Sequence, residues 1–168
     1  ALRSFTSRNF KIVGESGHVY GYGKSVWAMI DLDTRHPADI LAVRGGLITE
    51  YIETEYPCPI EKSSRVKLSV GATPIRSIDT YYNDVDINGH INSVKYIEHV
   101  LDLWDVAWYK QHCIKRFEIA YVAESHQGDR LHFYREGRDS DTDFNVRITK
   151  SNRDSAEVEV CRCRVQFV

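Results

Sequence analysis

Between Ser93 and Trp108 the apolar residues Val94, Ile97, Leu101, Trp104 and Trp108 recur at helical spacing, and the chain beyond them alternates with a period of two. Four strands follow from that alternation. The first carries Phe117, Ile119, Tyr121 and Ala123 and ends before the turn-like His126-Gln127-Gly128-Asp129. The second carries Leu131 and Phe133, and the third carries Phe144, Val146 and Ile148 after Asp139-Ser140-Asp141. The fourth runs from Val158 to Val168 after Ser151-Asn152-Arg153-Asp154. Ahead of the helix, Ile75, Ile78 and Tyr81-Tyr82 read as one more strand. Period two gives each strand one buried and one wet face. The helix has an apolar stripe to bury, and the inner face of this sheet is the surface available for it. Residues 72–168 therefore predict an α+β domain in which an antiparallel sheet wraps round one helix.

A polar cluster joins the strand to the helix: Asn83, Asp84, Asp86, Asn88, Gly89, His90 and Asn92. Asn92 or Ser93 can cap the helix by accepting a bond from a first-turn amide. The cluster thus lies at the positive end of a helix, a place suited to an anion or a developing oxyanion. Asp84, Asp86, Asn88 and Gly89 match the start of a calcium loop. That loop needs a helix in front and a bidentate Glu twelfth in line, and here a strand precedes it and Lys95 holds the twelfth position. Calcium is rejected. Acid–base chemistry remains. Asp86, Asn88 and His90 alternate, so in an extended segment they would point the same way. An Asx-rich turn is the plainer reading of any one of them, but a histidine beside a glycine that admits a substrate to the backbone favours a site.

The remaining sequence narrows the setting. A length of 168 residues, 42% of them hydrophobic, allows one ordinary domain, or one small domain and part of another. A formal net charge of −2 is too balanced for nucleic acid. No apolar run is long enough to span a membrane, and without a signal peptide the default location is cytoplasmic. The cysteines Cys58, Cys113, Cys161 and Cys163 are too few and too irregularly spaced for a disulfide scaffold. With no Cys-x-x-Cys and no paired histidines, no zinc site is expected, nor any cofactor.

The run Y-N-D-V-D-I-N-G-H-I-N-S-V-K-Y, Tyr82 to Tyr96, resembles the hotdog thioesterase signature Y-x-D-x-D-x-x-G-H-x-N-N-x-x-Y. More narrowly, D-V-D-I-N-G-H-I-N-S-V-K-Y-I is similar to the acyl-acyl-carrier-protein thioesterases of plants and bacteria. Ser93 stands where many members have a second Asn. One helix wrapped by an antiparallel sheet is the hotdog arrangement, so the fold read from periodicity and the fold implied by the resemblance agree.

The resemblance implies hydrolysis of an acyl thioester by an activated water, with acyl carrier protein as the substrate's carrier. It implies catalytic roles for Asp86, Asn88, His90 and Glu124. In the family a Glu-Cys pair follows the strand after the helix. Glu124 matches the Glu, and Ser125 replaces the Cys, which excludes a thiol nucleophile there. Asp86, or Glu124 acting with His90, would take the water's proton; Asn88 would position the carbonyl or the water. Amides from about His90 to Asn92 would hold the oxyanion. Acyl-chain length, coenzyme A as the thiol carrier, and a homodimeric assembly stay open. A hotdog dehydratase or hydratase and a non-catalytic acyl-binding module are the other function classes; the complete polar set argues against the latter.

The family holds two hotdog units in one chain. Residues 8–31 read as a hairpin about Glu15-Ser16-Gly17-His18, and its second strand ends in the apolar run Val26 to Ile30, which asks for cover on both faces. S-V-W-A-M-I-D-L-D-T-R, Ser25 to Arg35, is similar to the closing strand of the first unit. The expected organisation is therefore the end of an N-terminal hotdog over 1–35, whose start lies upstream of Ala1, a connector over 36–71 with Pro37, Gly45-Gly46, Pro57 and Pro59, and a complete hotdog over 72–168. His99, His112 and His132 have no partner set in the sequence and read as structural or surface residues. Arg162 and Arg164 read as a solvated edge, and Trp27, Trp104 and Trp108 as core.

Overall fold

The alternating strands close into a five-stranded antiparallel sheet in the order β3-β5-β6-β7-β4. The strands are β3 (Arg76–Asp79), β4 (Ile114–Tyr121), β5 (Arg130–Gly137), β6 (Asp143–Ser151) and β7 (Val158–Phe167). The computed structural model describes residues 3–69, 71–152 and 156–168. Part of the expected turn at Ser151-Asn152-Arg153-Asp154, from Arg153 on, lies outside them. Two units divide the chain, Ala1–Lys62 and Ser63–Val168.

In the second unit, α1 (Ser93–Leu101) lays Tyr96 and Val100, with Trp104 just beyond it, against Leu131, Phe133, Val146, Ile148, Cys161, Cys163, Val165 and Phe167. This is the hotdog arrangement. Val100, Leu131, Phe133, Val146 and Ile148 are completely buried. Cutting Leu131, Phe133 or Ile148 back to Ala would cost about 2–5 kcal/mol from lost transfer energy and the cavity left behind.

Two helical expectations are corrected. The helix does not run unbroken to Trp108. It stops at Leu101, Leu103 N–H and Trp104 N–H tighten onto the carbonyls of Val100 and Leu101, and α2 (Val106–Tyr109) starts afresh. The cause is Asp105, whose carboxylate accepts from Trp108 N–H at 2.8 Å and caps a new turn. The buried stripe is also different. Trp104 of the expected set is in the core, but it is joined there by Tyr96 and Val100, whereas Val94 is 52% exposed. Both residue sets have helical spacing, and Asn92, capping Val94 N–H at 2.9 Å, starts the helix at a fixed point in front of the sheet.

The strand ahead of the cluster ends at Asp79, short of Tyr82. Thr80, buried, donates its hydroxyl to the carbonyls of His126 and Asp129, and Tyr82–Asp84 forms a 3-10 turn. Arg162 and Arg164 lie on β7, an interior strand rather than an edge. Arg164 is held by Asp143 at 2.5 Å and Arg162 by Glu159. Cys161 and Cys163 are free and buried.

The first unit contains the expected hairpin, β1 (Phe5–Val13) and β2 (Val19–Ala28), turned at Gly17 with φ +83°. Val26 and Trp27 are 64% and 51% exposed, so the cover expected over this run is not supplied by the described residues. Trp27 is accordingly no core residue; the Arg8 guanidinium lies 4.6 Å above its ring. The expected connector is shared between the units: Ser64 and Ser69 donate to the carboxylates of Glu118 and Glu136 within the second. Among the described residues no helix is long and apolar enough to cross a membrane.

Candidate active site

The polar cluster folds into a turn, not the extended segment that alternation suggested. Asp86 N–H donates to His90 C=O at 2.8 Å and Gly89 N–H to Asp86 C=O at 3.0 Å. The Asp86 carboxylate accepts from Asn88 N–H at 2.8 Å and His90 N–H at 3.2 Å. Local Asx bonding wins over extension because each bond forms within four residues and closes almost no loop. Gly89 completes the turn at φ +82°, a region an L side chain rarely adopts. Asp86, Asn88 and His90 therefore do not share a strand face.

A second loop meets this turn. Val160 is an extra residue in β7, since Ile148 pairs with Cys161 while Thr149 pairs with Glu159. Its carbonyl accepts from both Val122 N–H and Ala123 N–H, which draws the chain off the end of β4 toward Glu124. Ile91 N–H then donates to Ser125 C=O at 2.8 Å. That bond sets the residues before each, His90 and Glu124, side by side, with His90 Nε2 3.3 Å from Glu124 Oε2. His90 is half-buried, and the Glu124 side chain is 51% exposed.

Desolvation pushes the Asp86 carboxyl upward, but the amides of Asn88 and His90, the His90 imidazole and the Asn88 carboxamide outweigh it and hold the group below its ordinary value. Asp86 is thus a firmly ionised carboxylate already committed to its own turn. Asp84 is more enclosed. It accepts from Tyr81 N–H at 2.8 Å and lies 3.8 Å from His99 Nε2.

The oxyanion donors expected from His90 to Asn92 are not available. His90 N–H is taken by Asp86, Ile91 N–H by Ser125 C=O, and Asn92 N–H by Asp84 C=O at 2.7 Å. The first-turn amide of Val94 is capped by Asn92. Ser125, at the position of the family's Cys, is completely buried, and its hydroxyl has no hydrogen bond of acceptable geometry among the described residues. It lies by the Tyr96 hydroxyl, which burial pushes up to about 12 against the pull of Ser125.

Other histidines do have partners. His132 stands between the hydroxyls of Ser77 and Ser151 at 2.8 and 2.7 Å, and His112 stacks on Trp108 at 3.8 Å. Burial holds His99 below its ordinary value, although Asp84 pulls the other way.

His126, read in the sequence only as part of a turn, joins the site. Its ring stands edge-on to His90 with centroids 5.1 Å apart. Its backbone is pinned by Thr80 and by the Asp129 carboxylate, which accepts from His126 N–H at 2.9 Å. One donor atom from each of His90, Glu124 and His126 lies within 4.8 Å of the others. The available signal was position: His126 follows Glu124 by two residues on the same loop.

The acyl-ACP thioesterase C-terminal domain family matches residues 69–167. A crystal structure of an acyl-ACP thioesterase from Bacteroides thetaiotaomicron is 45% identical, with a TM-score of 0.87, and is matched over 100% of this chain and 65% of its own. The chloroplastic palmitoyl-acyl carrier protein thioesterase of Gossypium hirsutum is 26% identical over 141 residues, 82% of this chain. The 12:0-ACP thioesterase from Umbellularia californica, 20% identical with a TM-score of 0.80, shares the fold. The chain spans 65% of the Bacteroides structure's length and 34% of the Gossypium protein's.

Proposed function

Because the chain belongs to the acyl-ACP thioesterase family, through that family's C-terminal domain, we propose that it hydrolyses acyl thioesters, with fatty acyl groups on acyl carrier protein as substrate. The observation that carries this is the 3.3 Å approach of His90 to Glu124, on residues that match the family's motif and whose side chains are both partly open to solvent. In this reading residues 1–35 are the end of a first hotdog.

The His90–Glu124 pair is the base. A water beside it loses a proton to the pair as its oxygen attacks the thioester carbonyl carbon. The carbonyl oxygen becomes an oxyanion, and the Asn88 carboxamide, on the exposed crest of the turn, donates to it. Collapse breaks the carbon–sulfur bond, and the proton held by the pair goes to the departing thiolate. The products are a fatty acid and a free thiol. Asp86 does not take the proton; it builds the turn and holds the His90 backbone, so it is a positioning residue.

Thiol release from matched acyl-ACP and acyl-CoA thioesters tests this, with hydration of an enoyl thioester assayed beside it. Thiol release, faster from the carrier protein, is expected. Water addition without thiol release would establish a hydratase instead, and binding of the thioester with neither reaction would establish a binding module.

A further inference from the structure

We propose that His90, Glu124 and His126 form a binding site for a divalent transition-metal ion of the zinc class, and that occupying it stops hydrolysis. Two imidazoles and one carboxylate are a donor set that zinc takes with three protein ligands and an open fourth position. Calcium and magnesium, which want oxygen ligands throughout, are not matched. Bonds of about 2.0–2.1 Å in a tetrahedron put neighbouring donor atoms roughly 3.3 Å apart. His90 Nε2 and Glu124 Oε2 are 3.3 Å apart already. The three donors span no more than 4.8 Å, and rotation of the exposed His126 side chain closes the remainder. The backbone holds the arrangement from both sides: Ile91 N–H on Ser125 C=O, Thr80 hydroxyl on His126 C=O, and His126 N–H on the Asp129 carboxylate. Glu124 and His126 are both exposed, so an ion enters directly from solvent.

The inhibitory half rests on the hydrolytic reading; the binding half stands on geometry alone. Coordination uses the same lone pairs, on His90 and on the Glu124 carboxylate, that would accept the water's proton. An ion seated there leaves the pair unable to act as a base.

The test titrates zinc chloride calorimetrically into chelator-stripped wild-type protein, His126→Ala and His126→Gln, each checked for native circular dichroism. Acyl thioester hydrolysis by wild-type protein is then followed with zinc and after adding a chelator. The expected result is saturable binding whose affinity falls at least about tenfold in both variants, since loss even of an outer-shell partner costs that much. Hydrolysis falls in step with occupancy and returns with the chelator. No saturable binding, or equal binding in all three proteins, overturns the site. Zinc that binds while hydrolysis is unchanged or raised overturns the inhibition. Binding lost in the variants, with no hydrolysis under any condition, supports the site and overturns the hydrolytic reading instead.

Discussion

Glu124→Gln separates the proposed base from the residues that merely hold it. The change keeps size and one carbonyl-type acceptor but removes the charge and the capacity to take a proton. A positioned acid–base group contributes about 10²–10⁴-fold, or roughly 2.7–5.4 kcal/mol at 1.36 kcal/mol per decade. The Glu124 side chain is 51% exposed and water competes for it, which places the expected loss near the lower end, about 10²-fold in kcat. Stability should hardly move. The carboxylate lies beyond the end of β4, and a surface change of this kind stays within about 0.5 kcal/mol, or roughly 2–4 °C in Tm for a domain of this size. Asp86→Asn is the comparison. It keeps an oxygen for the amides of Asn88 and His90, so its loss in kcat should be smaller than that of Glu124→Gln. Thiol release from an acyl thioester, with a melting curve for each variant, decides the matter. Full activity in Glu124→Gln, or a far larger loss in Asp86→Asn at unchanged Tm, refutes the assignment of the base.

Gly89→Ala should lower stability by about 1–2 kcal/mol, because the residue sits at φ +82° and an added Cβ meets nothing within 4 Å, so the whole cost is backbone conformation. A Tm unchanged from wild type by calorimetry would remove that account of the turn. The Asp143 carboxyl is held below its ordinary value by hydrogen bonds from Arg164, against the burial that raises it, with Gln166 and Arg138 assisting. The unfolded chain therefore takes up this proton first, and the stabilisation is present above about pH 4 and lost as pH falls through the folded value. Asp143→Asn should lower Tm at pH 7 and make its decline between about pH 5 and pH 3 shallower than in wild type; parallel curves would show that the pair contributes nothing to acid sensitivity.

The sequence by itself determined the elements that depend on local order. Alternation placed β5, β6 and β7, because a side chain's face in a strand is set by its neighbours two residues away. Asn92 was legible as a cap because capping acts within a turn of helix. The motif from Tyr82 to Tyr96 named Asp86, Asn88 and His90 as a group. What they do to one another was not legible. The alternation that would have pointed them the same way gave way to Asp86 bonding its own turn, a competition between two local options that only the folded context resolves. The spacing singled out one stripe on the helix, and the sheet it packs on kept Trp104 of that set, added Tyr96 and Val100, and left Val94 exposed. The resemblance had grouped Glu124 with His90, but how closely the two approach, and that His126 joins them, was decided by tertiary structure. Their meeting depends on an extra residue at Val160 that redirects the end of β4, and on one backbone bond from Ile91 to Ser125. Both are non-local, and a one-residue change in register would part the three side chains while leaving every sequence pattern intact.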